Sequence, residues 1–124
     1  MKNLNLLGRI LYGLPFGIIG LNHFFMTDVF LGMMTSYVPG GAYTVFLAGF
    51  FLIAASVLII INRYVTVACY GLVFMLSLFI LTIHIPNLFT EHAEMALFAL
   101  LKDVALLGGS LLLANNYTSQ KAAD

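Results

Sequence analysis

Charge is what this sequence has least of. Of its 124 residues only 8% are Asp, Glu, Lys or Arg, while 62% are hydrophobic; a soluble domain carries about a quarter charged residues and about half apolar ones. The mean hydropathy is +1.05. A water-soluble fold could not cover its surface from that supply, whereas a chain solvated by lipid has no such need. Five basic residues balance five acidic ones, for a formal net charge of zero, and this excludes the basic surface that nucleic acid demands. A single cysteine, Cys69, excludes an internal disulfide and a multi-cysteine metal site. Among its apolar neighbours it is expected to be a buried, inert thiol. The chain has no glycine-rich phosphate loop behind a strand, no nucleophile elbow, no Cys-x-x-Cys and no His-Glu-x-x-His, so the common signatures of phosphate, hydrolase, thiol-redox and zinc chemistry are missing.

What the sequence does have is long apolar runs. A helix needs about 20 such residues to cross the roughly 30 Å hydrocarbon core. Four stretches qualify, about 6–26, 42–61, 64–85 and 94–114. They predict an all-α membrane protein: a single domain, 1–124, folded as a four-transmembrane-helix bundle with up-down-up-down connectivity. The first run follows Lys2 and Arg9, as a secretory signal would. It is longer than a signal's apolar region and carries no small-residue cleavage pattern, so it is expected to remain as an uncleaved span.

The breaks between runs have their own chemistry. Asn62 and Arg63 form a short polar turn. Pro86 and Asn87 are expected to end the third helix, because proline lacks the N–H that the ladder needs. Glu91 and Glu94 precede or open the fourth helix, where acids suit the positive end of the helix dipole. Asn115 and Asn116 are expected to end it, with a frayed tail beyond. The connection 27–41 is too apolar for a free loop and too short and broken to span, so it is read as an interfacial segment between helices one and two. Tyr12, Tyr37, Tyr43, Tyr64 and Tyr117 fall near span ends and read as interfacial anchors.

Lys2, Arg63 and Lys121 fall on one side of this topology, with Arg9 close to that side, and the opposite loops hold no Lys or Arg. The positive-inside rule then places both termini in the cytoplasm. Helix packing is predicted from small residues: Gly13, Gly17 and Gly20 on helix one, Ala105 and Gly109 on helix four. Pro15 is expected to bend helix one.

Ionisable groups inside spans are the natural candidates for function, since each costs about 2.5–3.5 kcal/mol at a helix centre. Lys102 and Asp103 lie near the middle of helix four, about 100° apart around its axis; Arg9 is a candidate partner for Asp103 across the bundle. Arg9, Gly13, Phe16, Gly20 and His23 share one face of helix one, a stripe suited to lining a cavity. His23 and His84 come from different helices at the non-cytoplasmic end. Imidazoles so placed suit a haem, a metal ion or a quinone, or serve only to tie the helices together.

Four segments together carry a resemblance. They are GLNHFF (20–25), VPGGAYTVFLAGFFLIAASVLIIINR (38–63), HIPNLF (84–89) and LLKDVALLGGSLLLA (100–114). In this order they resemble the DoxX family of small bacterial membrane proteins. The resemblance implies a four-helix membrane bundle in the bacterial inner membrane. It further implies an association with quinone-linked oxidoreductases, since the family is named for a subunit associated with a thiosulfate:quinone oxidoreductase. The positions at stake are Arg9, His23, His84, Lys102 and Asp103. The expected function is therefore an integral membrane subunit or binding module, quinone-linked and docking a redox partner, without catalysis of its own. The alternatives are a haem- or metal-binding redox protein using His23 and His84, and a small-solute transporter. Ligand, partner and oligomeric state are left open.

Overall fold

The computed structural model describes the backbone of residues 2–123 and the side chains of residues 3–117. The side chains of Lys2 and Lys121, two of the cations in the orientation argument, lie outside the described residues. Every regular element is helical, with no strand among the described residues: α1 Lys2–Phe25, α2 Thr27–Met33, α3 Ala42–Ile60, α4 Val65–Phe79, a π turn Ile80–His84, α5 Ile85–Asn87 and α6 Ala93–Ala123. Joined through the π turn, α4 and α5 form one rod. Four helices are thus long and apolar enough to cross a membrane: Asn3–Phe25, Ala42–Ile60, Val65–Asn87 and Ala93–Tyr117. These follow the expected spans to within a few residues at each end.

Two ends differ from expectation. The third span does not stop before Pro86 but continues through it to Asn87, because the π turn rearranges the ladder ahead of the proline. The fourth does not end at Asn115 and Asn116 but runs on to Ala123. Asparagine disfavours a helix by only a fraction of a kcal/mol per residue, and Tyr117 just beyond is held by a hydrogen bond from α1.

The turn between α3 and α4 closes as a Schellman motif. Arg63 N–H donates to the Leu58 carbonyl and Asn62 N–H to the Ile59 carbonyl, with Asn62 in the left-handed region at φ 63°. Asparagine is the residue that, after glycine, best tolerates that conformation at a helix end. The segment between α1 and α3 is partly helical, as its composition suggested: α2 is a single short helix with no buried residue.

Neighbouring spans run antiparallel. Gly13, at the middle of α1, faces Ile59 and Ile60 at the end of α3, while Gly20, later in α1, faces Gly49 nearer its start. The end of the third span meets α6 through His84 and Asp103, and the end of α6 returns to the start of α1 through Tyr117 and Arg9. The centre is filled by Phe16, Leu52, Ile59, Leu72, Cys69 and Leu76. The outward face is made of large apolar side chains, among them Leu11, Phe50, Val67, Phe74 and Leu112. An aqueous surface avoids continuous apolar cover of this kind; a lipid-facing one requires it. The fold defines a multi-pass, all-helical membrane protein.

Candidate functional site

Asp103 is the one buried carboxylate among the described residues, 5% exposed. Its Oδ2 lies 2.7 Å from His84 Nε2. Its Oδ1 lies 3.8 Å from Lys102 Nζ, whose side chain is 60% exposed and directed outward. An ionised carboxylate can only accept, so Nε2–H donates and the imidazole is fixed in the Nε2–H tautomer when neutral. His84 Nδ1 has no hydrogen-bond partner among the described residues. The arrangement is an oriented imidazole with one free nitrogen, backed by a buried acid, in an apolar bundle.

The π turn is what aims His84. The inner face of α4 is marked by Val65, Ala68, Cys69, Leu72 and Leu76. At 3.6 residues per turn, position 84 of an uninterrupted α-helix would lie about 80° off the line of Leu76. A π turn takes up one more residue, bringing position 84 to about 20° from that line and onto the side facing α6. Two residues later Pro86 has no N–H, so the Thr82 carbonyl loses its ordinary helical donor. The hydroxyl of Thr35, in the connection after α2, donates to it at 2.5 Å. Asn87 Nδ2 in turn donates to the Met33 carbonyl at 3.3 Å, so the same helical end is clasped twice by the interfacial segment. On its outer side Tyr37, Leu81, Thr82, Ile85, Pro86 and Phe89 line an open groove of about 360 Å³.

The other expected site residues are placed as follows. His23 is buried, but its Nδ1 donates to the Ile19 carbonyl at 2.7 Å and its ring stacks on Phe30 of α2, centroids 3.8 Å apart. It is a pillar under the interfacial helix, and it and His84 each have separate partners. No group of three or more His, Cys, Asp or Glu side chains is placed to hold a metal among the described residues. His92 is exposed in the last connection, 3.8 Å from Glu91.

Arg9 does not meet Asp103. Its Nη1 donates to Tyr117 Oη at 3.0 Å, and Tyr117 lies about 21 Å along α6 from Asp103 at 1.5 Å per residue, beyond an arginine's reach. The stripe Gly13, Phe16, Gly20 and His23 does not open onto a cavity along its glycines. Those positions are filled by α3, with Ile59 and Ile60 against Gly13 and Gly49 against Gly20. Gly109 makes room for the ring of Tyr12, whereas Ala105 is exposed on the outer face of α6 and takes no part in that contact.

Tyr12 is not a surface anchor, and Tyr117, partly buried at the end of its span, accepts from Arg9. Tyr12 Oη donates to the Leu106 carbonyl at 2.8 Å and also pairs with the hydroxyl of the fully buried Ser110. A signal for this was present in the sequence: Asp103, Ser110 and Tyr117 recur every seven residues, which is close to two helical turns and hence one face. Each finds a polar partner on another helix. Tyr37, Tyr43 and Tyr64, by contrast, are exposed near span ends, as interfacial anchors should be.

Comparison of the chain with protein-family models, with curated proteins and with solved structures gives no match.

Proposed function

We propose that this protein is an integral membrane binding module that holds a lipophilic quinone at His84 and Asp103 and presents it to an oxidoreductase partner. The observation that carries the reading is the buried Asp103–His84 pair at the end of a π turn. A charged group inside a span is costly and is retained chiefly where it serves binding or proton handling, and π turns concentrate at such sites. The resemblance to the DoxX family points the same way.

The residues present suit a quinone ring. Neutral His84 keeps Nε2–H on Asp103 and offers Nδ1 as an acceptor for a hydroquinone hydroxyl. Protonated, the same nitrogen donates to a quinone carbonyl. Lys102 adds positive charge beside the pair. The groove lined by Tyr37, Leu81, Ile85 and Phe89 lies on the outer side of the same helical turns, and neither His84 nor Asp103 lines it. A bound quinone would supply two-electron redox chemistry; the chain's own part is to bind, orient and exchange the proton at Nδ1. The proposal places the protein in a bacterial inner membrane with both termini cytoplasmic, supported by exposed Arg63 in the turn at one end and by connections at the other, 27–41 and 88–92, that hold no Lys or Arg.

The test is binding of a short-chain ubiquinone or menaquinone analogue to purified protein in nanodiscs, read by native mass spectrometry. Binding by the wild type that falls by about tenfold in His84→Gln and Asp103→Asn, the loss of one charge-assisted hydrogen bond, supports the reading. Equal binding by all three proteins, with helicity unchanged by circular dichroism, removes it.

A further inference from the structure

We infer that the flank of α6 around Lys102 seats a membrane helix of another protein, one that carries a carboxylate at the depth of Lys102. Lys102 lies well inside the span Ala93–Tyr117, about 14 Å along the axis from Ala93 and about 22 Å from Tyr117. Ionisable groups at such depth almost always face the bundle interior or a water-filled cavity and pair there. This one is directed outward, with its side chain 60% exposed.

The chain itself leaves the ammonium poorly provided for. Its three N–H groups have one acidic oxygen nearby, Asp103 Oδ1 at 3.8 Å. That is longer than a hydrogen bond, about 2.7–3.2 Å, and the same carboxylate is already engaged by His84. Because Nζ lies beside Asp103, it stays at that depth and does not rise to the headgroups, as a snorkelling lysine would. Met95, Phe98 and Ala105 are exposed along the same flank. With Lys102 they follow one another at alternating steps of three and four residues. Helices meet along seams of that spacing, and a single lysine in such a seam fixes the register.

Charge decides the occupant. A second copy in the same membrane would bring its own Lys102 to the same depth, a like charge. The described acid at that depth, Asp103, is 5% exposed and bonded to His84, so a copy offers no free carboxylate. The other described acids, Asp28, Glu91 and Glu94, lie in or beside the connections at one end of the bundle. Lipid phosphates lie outside the hydrocarbon core. A span of another protein with an Asp or Glu in its apolar run supplies the acceptor without the repulsion. Such a span would suit the partner proposed above, but Lys102 argues for it without the quinone, and the test contains none.

The experiment is resonance energy transfer in phosphatidylcholine vesicles between the labelled protein and a leucine-based transmembrane peptide with one Asp near its centre, or with Leu in that place. The Asp peptide is expected to associate about tenfold more tightly than the Leu peptide, on the scale of polar contacts between membrane helices. Lys102→Leu should remove the preference and Lys102→Arg keep it. Should Lys102→Leu fail to fold, Ala105→Phe carries the test, since it keeps the cation, crowds the seam and should weaken the Asp peptide. Equal association of both peptides with the wild type, or a preference that survives Lys102→Leu, overturns the inference. Transfer between copies of the protein that the Asp peptide does not displace, and that Lys102→Leu abolishes, would give the flank to a second copy. Loss of the Asp preference when phosphatidylglycerol replaces part of the phosphatidylcholine would give the ammonium to a lipid phosphate. Either result also overturns it.

Discussion

Gly20 and Gly49 occlude each other. A side chain on Gly20 would come within 2.8 Å of the Gly49 carbonyl oxygen, and one on Gly49 within 2.8 Å of the Gly20 carbonyl oxygen. The backbones of α1 and α3 therefore pack with nothing between them, and the obstacle in each direction is main chain that cannot rotate aside. Without a hydrophobic drive between helices in lipid, close contact of this kind is a principal source of association.

Gly20→Ala should therefore destabilise the bundle by about 1–3 kcal/mol, the usual range for overpacking. Gly8→Ala, where nothing lies within 4 Å of the added carbon, should be neutral or slightly stabilising. Thermal unfolding in mild detergent, followed by circular dichroism, checks the contrast between the two.

Breaking the buried pair from one side should be worse than removing it. His84→Ala leaves the Asp103 carboxylate without its imidazole, for which about 3–5 kcal/mol is typical of buried pairs. His84→Ala combined with Asp103→Leu should recover part of that loss, because no charge is left stranded. Chemical unfolding of the two single variants and the double variant gives the coupling directly. A double variant as unstable as the sum of the singles would mean that the pair does not couple.

Pro86 and Thr35 should be coupled in the same sense. Thr35→Val withdraws the side-chain donor to the Thr82 carbonyl and should cost about 1 kcal/mol, the net worth of a typical hydrogen bond. Pro86→Ala returns a backbone N–H to the position from which that carbonyl can be reached, so in its background Thr35→Val should cost much less. Hydrogen exchange across residues 34–41 should show the loosening wherever Thr35 is replaced, while the stability cost falls only in the Pro86→Ala background.

Cys69 is fully buried against the core cluster. A maleimide should leave it unmodified in the folded protein and label it completely after denaturation, read as a mass shift. Labelling at comparable rates in both states would contradict the packing around α4.

The fold was legible because lipid imposes one rule on every span, a run of apolar residues long enough to cross. Residues 42–61 and 64–85 satisfied it with only Asn62 and Arg63 between them. The ionisable candidates Asp103 and His84 were legible for the complementary reason, as costly residues in apolar runs. Their pairing was not. On a regular helix His84 falls off the inner line of Leu76, and no local propensity in 80–84 announces a π turn. Arg9 was assigned the wrong partner because the sequence gives the presence of charge but not the depth at which each side chain ends. Tyr12 was misread for a similar reason: a tyrosine near a span end is compatible with the membrane interface and with a buried hydroxyl, and only Ser110 and the Leu106 carbonyl opposite distinguish them.

The π turn makes segment length part of the site. Substitutions in 80–84 can alter what the turn presents but cannot restore its angular phase if one residue is lost. A single deletion there would let the ladder resume regular bonding while swinging everything downstream by about 100°. His84 would leave Asp103, and Thr82 would leave Thr35, with both side chains still intact. Related chains that keep this histidine and aspartate therefore share a constraint that a residue-by-residue comparison would miss: the number of residues between Leu76 and His84.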